Sequence, residues 1–282
     1  VFVDLSAFVR DLPARFGGDL YVDEPPDPRF DKVVADIEGM STPHSLTLLN
    51  AAVDHLSKDE WYLEVGSYRG RSLVGASLGH EHGRFAAIEN FREFGVDPQL
   101  AQTSVSETLE RWGLGGRVRF LPGEAFKLLP KGAVHGPVGV YFYDGAHSRL
   151  AQYLGLACAE QWLADEALVI VDDATWPQVA SSTQSYMDRH PGYELLFDLR
   201  AERDYDPRWC NGVKVYGWRR PRGWTPPGGL DITWRRIAHL YGQEPVMNVA
   251  WRVLPRYPRV SSVLKRAYLH GGTAVPKENG GA

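Results

Sequence analysis

Five apolar runs recur through the middle of the chain: WYLEVG (61–66), RFAAIEN (84–90), RVRFLPG (117–123), GVYFYD (139–144) and ALVIVDD (167–173). Each reaches a glycine or an acidic residue at its last or next-to-last position, and helical or turn-forming stretches separate them. Short runs that are apolar throughout, with little polar alternation, read as strands buried on both faces. Strands of this kind alternating with helices give an α/β fold, a doubly wound and mostly parallel sheet with helices on both faces.

The flanking segments extend this reading. In STPHSLTLLNAAVDHL (41–56), Ser41-Thr42-Pro43 supplies a cap and a first-turn proline, and apolar residues follow at helical spacing. Further helices are expected from about Pro98 to Trp112 and through RLAQYLGLACAEQWL. YELLFDL (193–199) and GVKVYGW (212–218) are joined by a polar loop, so they are expected to close the sheet edge as an antiparallel pair and bring the strand count to seven. Residues 1–40 hold glycine and proline breakers between short apolar pieces, and read as an N-terminal helical lid. The opening VFVDLSAFVRDLPARF reads as an amphipathic helix, without the charged-then-apolar order of a signal peptide. Residues 41–218 then form the main domain, and 219–282 a Pro- and Trp-rich extension. That extension is expected to hold a helix at 233–242, a weaker one at 260–269 and a flexible tail after about Gly271.

Charge and composition exclude several classes of function. The net charge is −4, so there is no basic excess for a nucleic-acid partner. Two cysteines, Cys158 and Cys210, are too few for a disulfide framework or a Cys-rich zinc site, which suits a reducing, cytoplasmic setting. No apolar run approaches the roughly 18 residues of a membrane span. A small molecule is the expected partner, and self-association is left open.

Three motifs sit at strand ends, where open α/β sheets bind ligands. EVGSYRG, Glu64 to Gly70 with Ser67 inside it, spaces its glycines as G-x-x-x-G, which is not the G-x-G-x-x-G of dinucleotide sites. Glu89 ends the next strand, where a carboxylate can accept both hydroxyls of a ribose. Gly123-Glu124-Ala125 follows the third strand and can meet an adenine edge. Taken singly, each also reads as a turn, a solvated strand end or a loop.

Together, in this order on successive strands, they resemble the class I S-adenosylmethionine-dependent methyltransferases, a Rossmann-like seven-stranded fold with an antiparallel last strand. The likeness covers about residues 40–218. It implies that the cofactor is S-adenosylmethionine, with Glu64, Gly66, Ser67 and Gly70 at its methionyl part, Glu89 at its ribose and Gly123, Glu124 and Ala125 at its adenine. Met40, Ser41 and Thr42 would close over the methionine end, and Asp144 would border the cofactor.

Asp144 ends the fourth strand, and Asp172-Asp173 end the fifth. Neighbouring strands lie about 4.8 Å apart, so three carboxylates are expected to meet at one rim of the sheet. Acids crowded in this way are tolerable around a cation, and oxygen donors suit Mg2+ or another divalent ion. His147, three residues past Asp144, is placed to take a proton from an alcohol. Structural readings exist here too, since Asp144-Gly145 is ordinary turn chemistry and Asp172-Asp173 or His147 could cap a helix. The Asp…Asp-Asp pattern resembles the metal-dependent O-methyltransferases, of which catechol-type members carry lysine at the His147 place and Asp-Asn for the pair. Histidine within DGAHS is more similar to sugar O-methyltransferases of antibiotic biosynthesis, and Trp-x-Asn-Gly at 209–212 occurs in a related place there. The resemblance implies methyl transfer to a hydroxyl of a sugar or glycosylated natural product. Trp176, Tyr205 and Trp209 are candidates to line the acceptor, since sugars pack on aromatic faces. His80 and His82 read as solvent-facing. A metal-independent methyltransferase, a cofactor-binding but silent partner protein and a nicotinamide-dependent oxidoreductase are the alternatives.

Overall fold

The computed structural model describes residues 2–24, 27–91 and 97–253. The expected helix at 260–269 and the tail after Gly271 lie outside them. In chain order the elements are α1 (Leu5–Arg15), α2 (Arg29–Asp36), α3 (Pro43–Asp54), β1 (Trp61–Val65), α4 (Arg71–Ser77), β2 (Arg84–Glu89), α5 (Pro98–Arg111), β3 (Val118–Pro122) and α6 (Ala125–Leu128). There follow β4 (Val138–Tyr143), α7 (Arg149–Glu160), β5 (Leu163–Val171), α8 (Pro177–Met187), β6 (Tyr193–Leu199), β7 (Val213–Arg219), α9 (Gly229–Ile237) and α10 (Glu244–Val253). A π-helical turn, Ala238–Gln243, joins the last two helices.

Local chemistry sets the helix starts. Thr42 caps α3 by accepting from the Ser45 amide at 3.1 Å, with Pro43 in the first turn. Asp97 does the same for α5 ahead of Pro98, and Ser148 for α7. These residues satisfy amides that the first helical turn leaves without carbonyl partners.

The seven strands run in the order β3-β2-β1-β4-β5-β7-β6. Consecutive neighbours from β3 to β5 are parallel, while β7 lies antiparallel between β5 and β6. Side chains alternate along each strand into two apolar cores. On one face Tyr62, Phe85, Phe142, Leu168 and Val215 pack with α1 to α5; on the other Leu63, Ile88, Tyr141, Val169 and Trp218 pack with α6 to α8. The first core takes in Phe8, Leu12, Phe30 and Val33, so α1 and α2 are built into the sheet's cover.

One helix was not legible. The sequence of α8, PQVASSTQSYM, carries its polar groups on the buried side. Thr183 Oγ1 accepts from Gln152 Nε2 at 3.0 Å, and Ser182 Oγ donates to the Arg149 carbonyl at 2.7 Å. Those satisfied polar contacts dilute the apolar period that marks a helix. β5 also starts at Leu163, ahead of the apolar run, because Leu163 pairs with Val138 across a register shift.

The strand order reverses between β1 and β4. There Gly66 has φ +90°, and a Cβ would overlap the Asp144 carbonyl oxygen. Gly113 has φ +69° with open space around it. Gly66→Ala combines left-handed strain with a backbone clash and should cost about 2–5 kcal/mol, against roughly 1 for Gly113→Ala. Urea unfolding of the two variants checks the difference.

Candidate active site

The carboxyl ends of β1, β2, β3, β4 and β5 carry the residues singled out in the sequence. Glu64 is fully buried on β1, its oxygens accepting from Tyr62 Oη at 2.7 Å and Ser72 Oγ at 2.8 Å. Burial pushes its pKa up to about 7. With both oxygens engaged, Glu64 ties β1 to the start of α4. Ser67 is buried in that loop and its Oγ has no hydrogen-bond partner. Gly70, at φ +87°, opens α4.

Glu89 spans the next gap. It accepts from the Tyr68 amide at 2.8 Å and from the Phe91 amide at 2.8 Å, one bond on each oxygen. The Gly123 amide donates to the Glu89 carbonyl at 2.8 Å, so the ends of β2 and β3 stay joined. Glu124 is buried and caps α6, and Asn90 Nδ2 donates to its Oε2 at 3.3 Å. Ala125 is buried beside it.

Sequence reading missed the residue that positions the segment before α3. Arg71 donates to the carbonyls of Ile37 at 2.6 Å, Ser41 at 3.1 Å and Val34 at 3.1 Å. This guanidinium holds residues 34–41 against the glycine loop. Tyr68 Oη adds a bond to Glu38 at 2.9 Å. Met40 remains 49% exposed, and Thr42 Oγ1 donates to the Arg208 carbonyl.

At the ends of β4 and β5 the structure gathers Asp144, His147 and Asp173, with one ligand-type atom from each within 4.8 Å of the others. His147 Nε2 lies 2.9 Å from Asp173 Oδ2 and 3.7 Å from Asp144 Oδ1. Asn211 Nδ2 donates to the other Asp173 oxygen at 2.7 Å, and Asn211 Oδ1 accepts from the Tyr205 amide. Burial alone would raise the Asp173 pKa; the His147 imidazole and the Asn211 bond outweigh it and hold that carboxyl below its ordinary value. Asp173 sits at φ +53°, a costly backbone conformation for a non-glycine residue. Asp172 is not in that group. Its Oδ1 is buried without a hydrogen bond, and burial beside Asp173 pushes its pKa up to about 7. Asn211 therefore joins the site as a residue whose only sequence signal was the Trp-x-Asn-Gly segment.

The three aromatic candidates separate. Trp176 caps α8 with its ring edge-on to His147, centroids 5.3 Å apart. Tyr205 is 68% exposed on a loop. Trp209 is a correction. It is 0% exposed, packed on Phe16 and His44, and its Nε1 donates to the Leu20 carbonyl at 3.0 Å. An indole buried on all sides has no face for an acceptor, and Trp209 anchors the N-terminal segment instead. His80 is a second one: its side chain is mostly covered and lies 3.6 Å from Asp54, whereas His82 is exposed as expected.

Residues 63–174 match a family model described as a methyltransferase domain. That span runs from β1 to just past Asp173 and holds the glycine loop, Glu89, Asp144 and His147. This is a methyltransferase fold. Solved structures with that fold superpose over most of the chain. Cofactor-bound Rv0187 from MTB is 19% identical, with a TM-score of 0.54, over 78% of this chain and 98% of its own. The O-methyltransferase from Bacillus cereus in complex with SAH is 14% identical, with a TM-score of 0.54, over 75% and 100%. The O-methyltransferase TomG from Streptomyces achromogenes, involved in tomaymycin synthesis and in complex with SAM, is 17% identical, with a TM-score of 0.52, over 74% and 96%. No curated protein sequence matches the chain. Among the described residues, no helix is long and apolar enough to cross a membrane.

The Glu64 shift has a measurable sign. Its folded pKa, about 7, exceeds the ordinary 4.5, so the native state holds this proton more tightly than the unfolded chain. Stability from this group is full below pH 4.5 and falls by about 3 kcal/mol as pH rises to 7. Glu64→Gln should lose less stability than the parent between pH 4.5 and 7, as read from denaturant midpoints across that range.

Proposed function

We propose that the protein is an S-adenosylmethionine-dependent O-methyltransferase in which His147 takes the proton from an acceptor hydroxyl. The observation that carries this is the His147–Asp173 contact at 2.9 Å, at the same sheet rim as the glycine loop. Asn211 fixes one Asp173 oxygen and leaves the other for the imidazole. A base held in one orientation by a buried carboxylate suits proton removal during an in-line displacement on carbon.

The cofactor reading rests on this chain's own groups. Glu89 has used one lone pair on each oxygen for backbone amides, which leaves acceptor capacity for two ribose hydroxyls. Ser67 offers a buried, unbonded hydroxyl at the glycine loop for the methionyl part. Gly123 to Ala125 border the adenine end. The Met40–Thr42 segment, held through the Ser41 carbonyl by Arg71, closes the methionine end.

The donors at the acid rim fit a divalent cation. Asp144 and Asp173 converge there, and the unbonded, buried Asp172 Oδ1 is a group that a cation would satisfy. Asp144, Asp172 and Asp173 would hold Mg2+, or a related ion. A cation there favours the alkoxide of the acceptor and so lowers its pKa. Trp176 and Tyr205 are the aromatic surfaces left for an acceptor, which we take to be a sugar or glycosylated natural product on the resemblance of DGAHS to sugar O-methyltransferases. The two buried, unpaired cysteines suit a reducing cytoplasm. A metal-independent reaction is the second reading, favoured by the same His147–Asp173 contact, which already pairs one of the acids.

His147→Ala should lower kcat by about 10²–10⁴-fold on a panel of hydroxylated glycosides, with S-adenosylhomocysteine affinity by calorimetry nearly unchanged. Affinity falling as far as turnover would remove the role assigned to His147. EDTA should stop the reaction and Mg2+ restore it, while turnover indifferent to EDTA selects the metal-independent reading.

A further inference from the structure

A second cluster, sharing no residue with the acid rim, lies where the C-terminal extension packs on the body of the fold. Arg236 Nε donates to the Phe126 carbonyl at 3.0 Å, Arg235 stacks over Tyr153 at 4.7 Å, and Ser148 Oγ donates to Gln243 Oε1 at 3.0 Å. Between these contacts Glu124, His239 and Glu244 are all buried, with one ligand-type atom from each within 4.8 Å of the others. They come from two distant parts of the chain. Residues five apart on a regular α-helix point roughly 140° away from each other. The π-helical turn Ala238–Gln243 overwrites that geometry and turns His239 and Glu244 to one side.

The histidine shows what this cluster is built to receive. Its Nδ1 lies 3.3 Å from Gln243 Oε1, an oxygen already fixed by the Ser148 hydroxyl. That oxygen is an acceptor only, so Nδ1 carries the ring proton and Nε2 presents a lone pair. Nε2 points at Glu124 Oε1 from 4.0 Å, beyond hydrogen-bond reach. Phe126 meets the ring edge-on at 4.7 Å and blocks its reorientation. A ring nitrogen whose partner N–H is held by a neighbouring oxygen is the usual posture of a metal-bound histidine.

We propose that Glu124, His239 and Glu244 bind a divalent ion of the zinc class. One nitrogen and two carboxylates suit Zn2+, which holds such donors at about 2.0–2.2 Å and so about 3–4 Å from one another. The observed spacing needs only a small contraction. The ion fastens α9 and α10 to the loop after β3, the side where the cofactor's adenine is placed in the reading above. The binding itself does not depend on that reading.

The test uses the full chain, stripped with chelator and dialysed, with the rim cluster disabled by Asp173→Asn. This protein should bind one Zn2+ per chain and melt about 5–10 °C higher at a hundredfold excess over the dissociation constant. Adding His239→Gln or Glu244→Gln should abolish both the binding and the shift, with the far-ultraviolet dichroism unchanged. Crystals of the unaltered protein soaked in Zn2+ should show an anomalous peak among the three side chains. Unchanged Zn2+ affinity in both added variants, or no peak at that place, overturns the proposal. Loss of methyl transfer alone would bear on the acid rim and leave this site standing.

Discussion

The close approach of two backbones at the strand-order reversal governs the geometry of the site. Gly66 lies so near the Asp144 carbonyl that a single methyl group would push them apart. Because of that contact, the loop proposed for the methyl donor and the rim proposed for the acceptor share one wall. The Asp144 amide continues the sheet ladder by donating to the Val65 carbonyl at 2.9 Å, and the Asp172 amide donates to the Tyr143 carbonyl at 3.1 Å. Glycine loop, Asp144 and the Asp172-Asp173 pair are thus set by consecutive rungs of hydrogen bonds rather than by mobile loops. Rigid placement of this kind is what an in-line transfer asks of a protein.

Around that wall, polar groups are satisfied in a graded way. Glu64 spends both oxygens inside the fold, Glu89 spends half of its acceptor capacity, and Ser67 and Asp172 each keep one buried oxygen unbonded. Buried polar atoms are normally hydrogen-bonded, so the acceptor capacity that Ser67, Glu89 and Asp172 keep at the strand ends is capacity that a bound ligand could use.

Much of this was legible in the sequence because strand ends announce themselves. Val65-Gly66, Ile88-Glu89, Tyr143-Asp144 and Val171-Asp172 each show an apolar run stopping at a residue with a job, and all four ends lie together at the rim. What stayed hidden depends on contacts between distant segments. Trp209 looked like an exposed sugar platform, but α1 and the segment around Leu20 close over it. Arg71 carries no local signal of its role, which comes from three carbonyls of residues 34–41 that only the fold brings within its reach. Asn211 and Asp173 are brought together by the antiparallel placement of β7 beside β5, which no local pattern specifies. The polar inner face of α8 concealed a whole helix.

We propose that the donor and a proton-accepting imidazole meet across the Gly66–Asp144 wall. A crystal structure with S-adenosylhomocysteine and Mg2+ tests it most directly. The nucleoside's ribose hydroxyls should lie on Glu89, the thioether beside the glycine loop, and the ion among the acids of the rim with His147 facing the space between. Density for the nucleoside elsewhere, or His147 turned away from the thioether with the acids paired to protein cations, would contradict it.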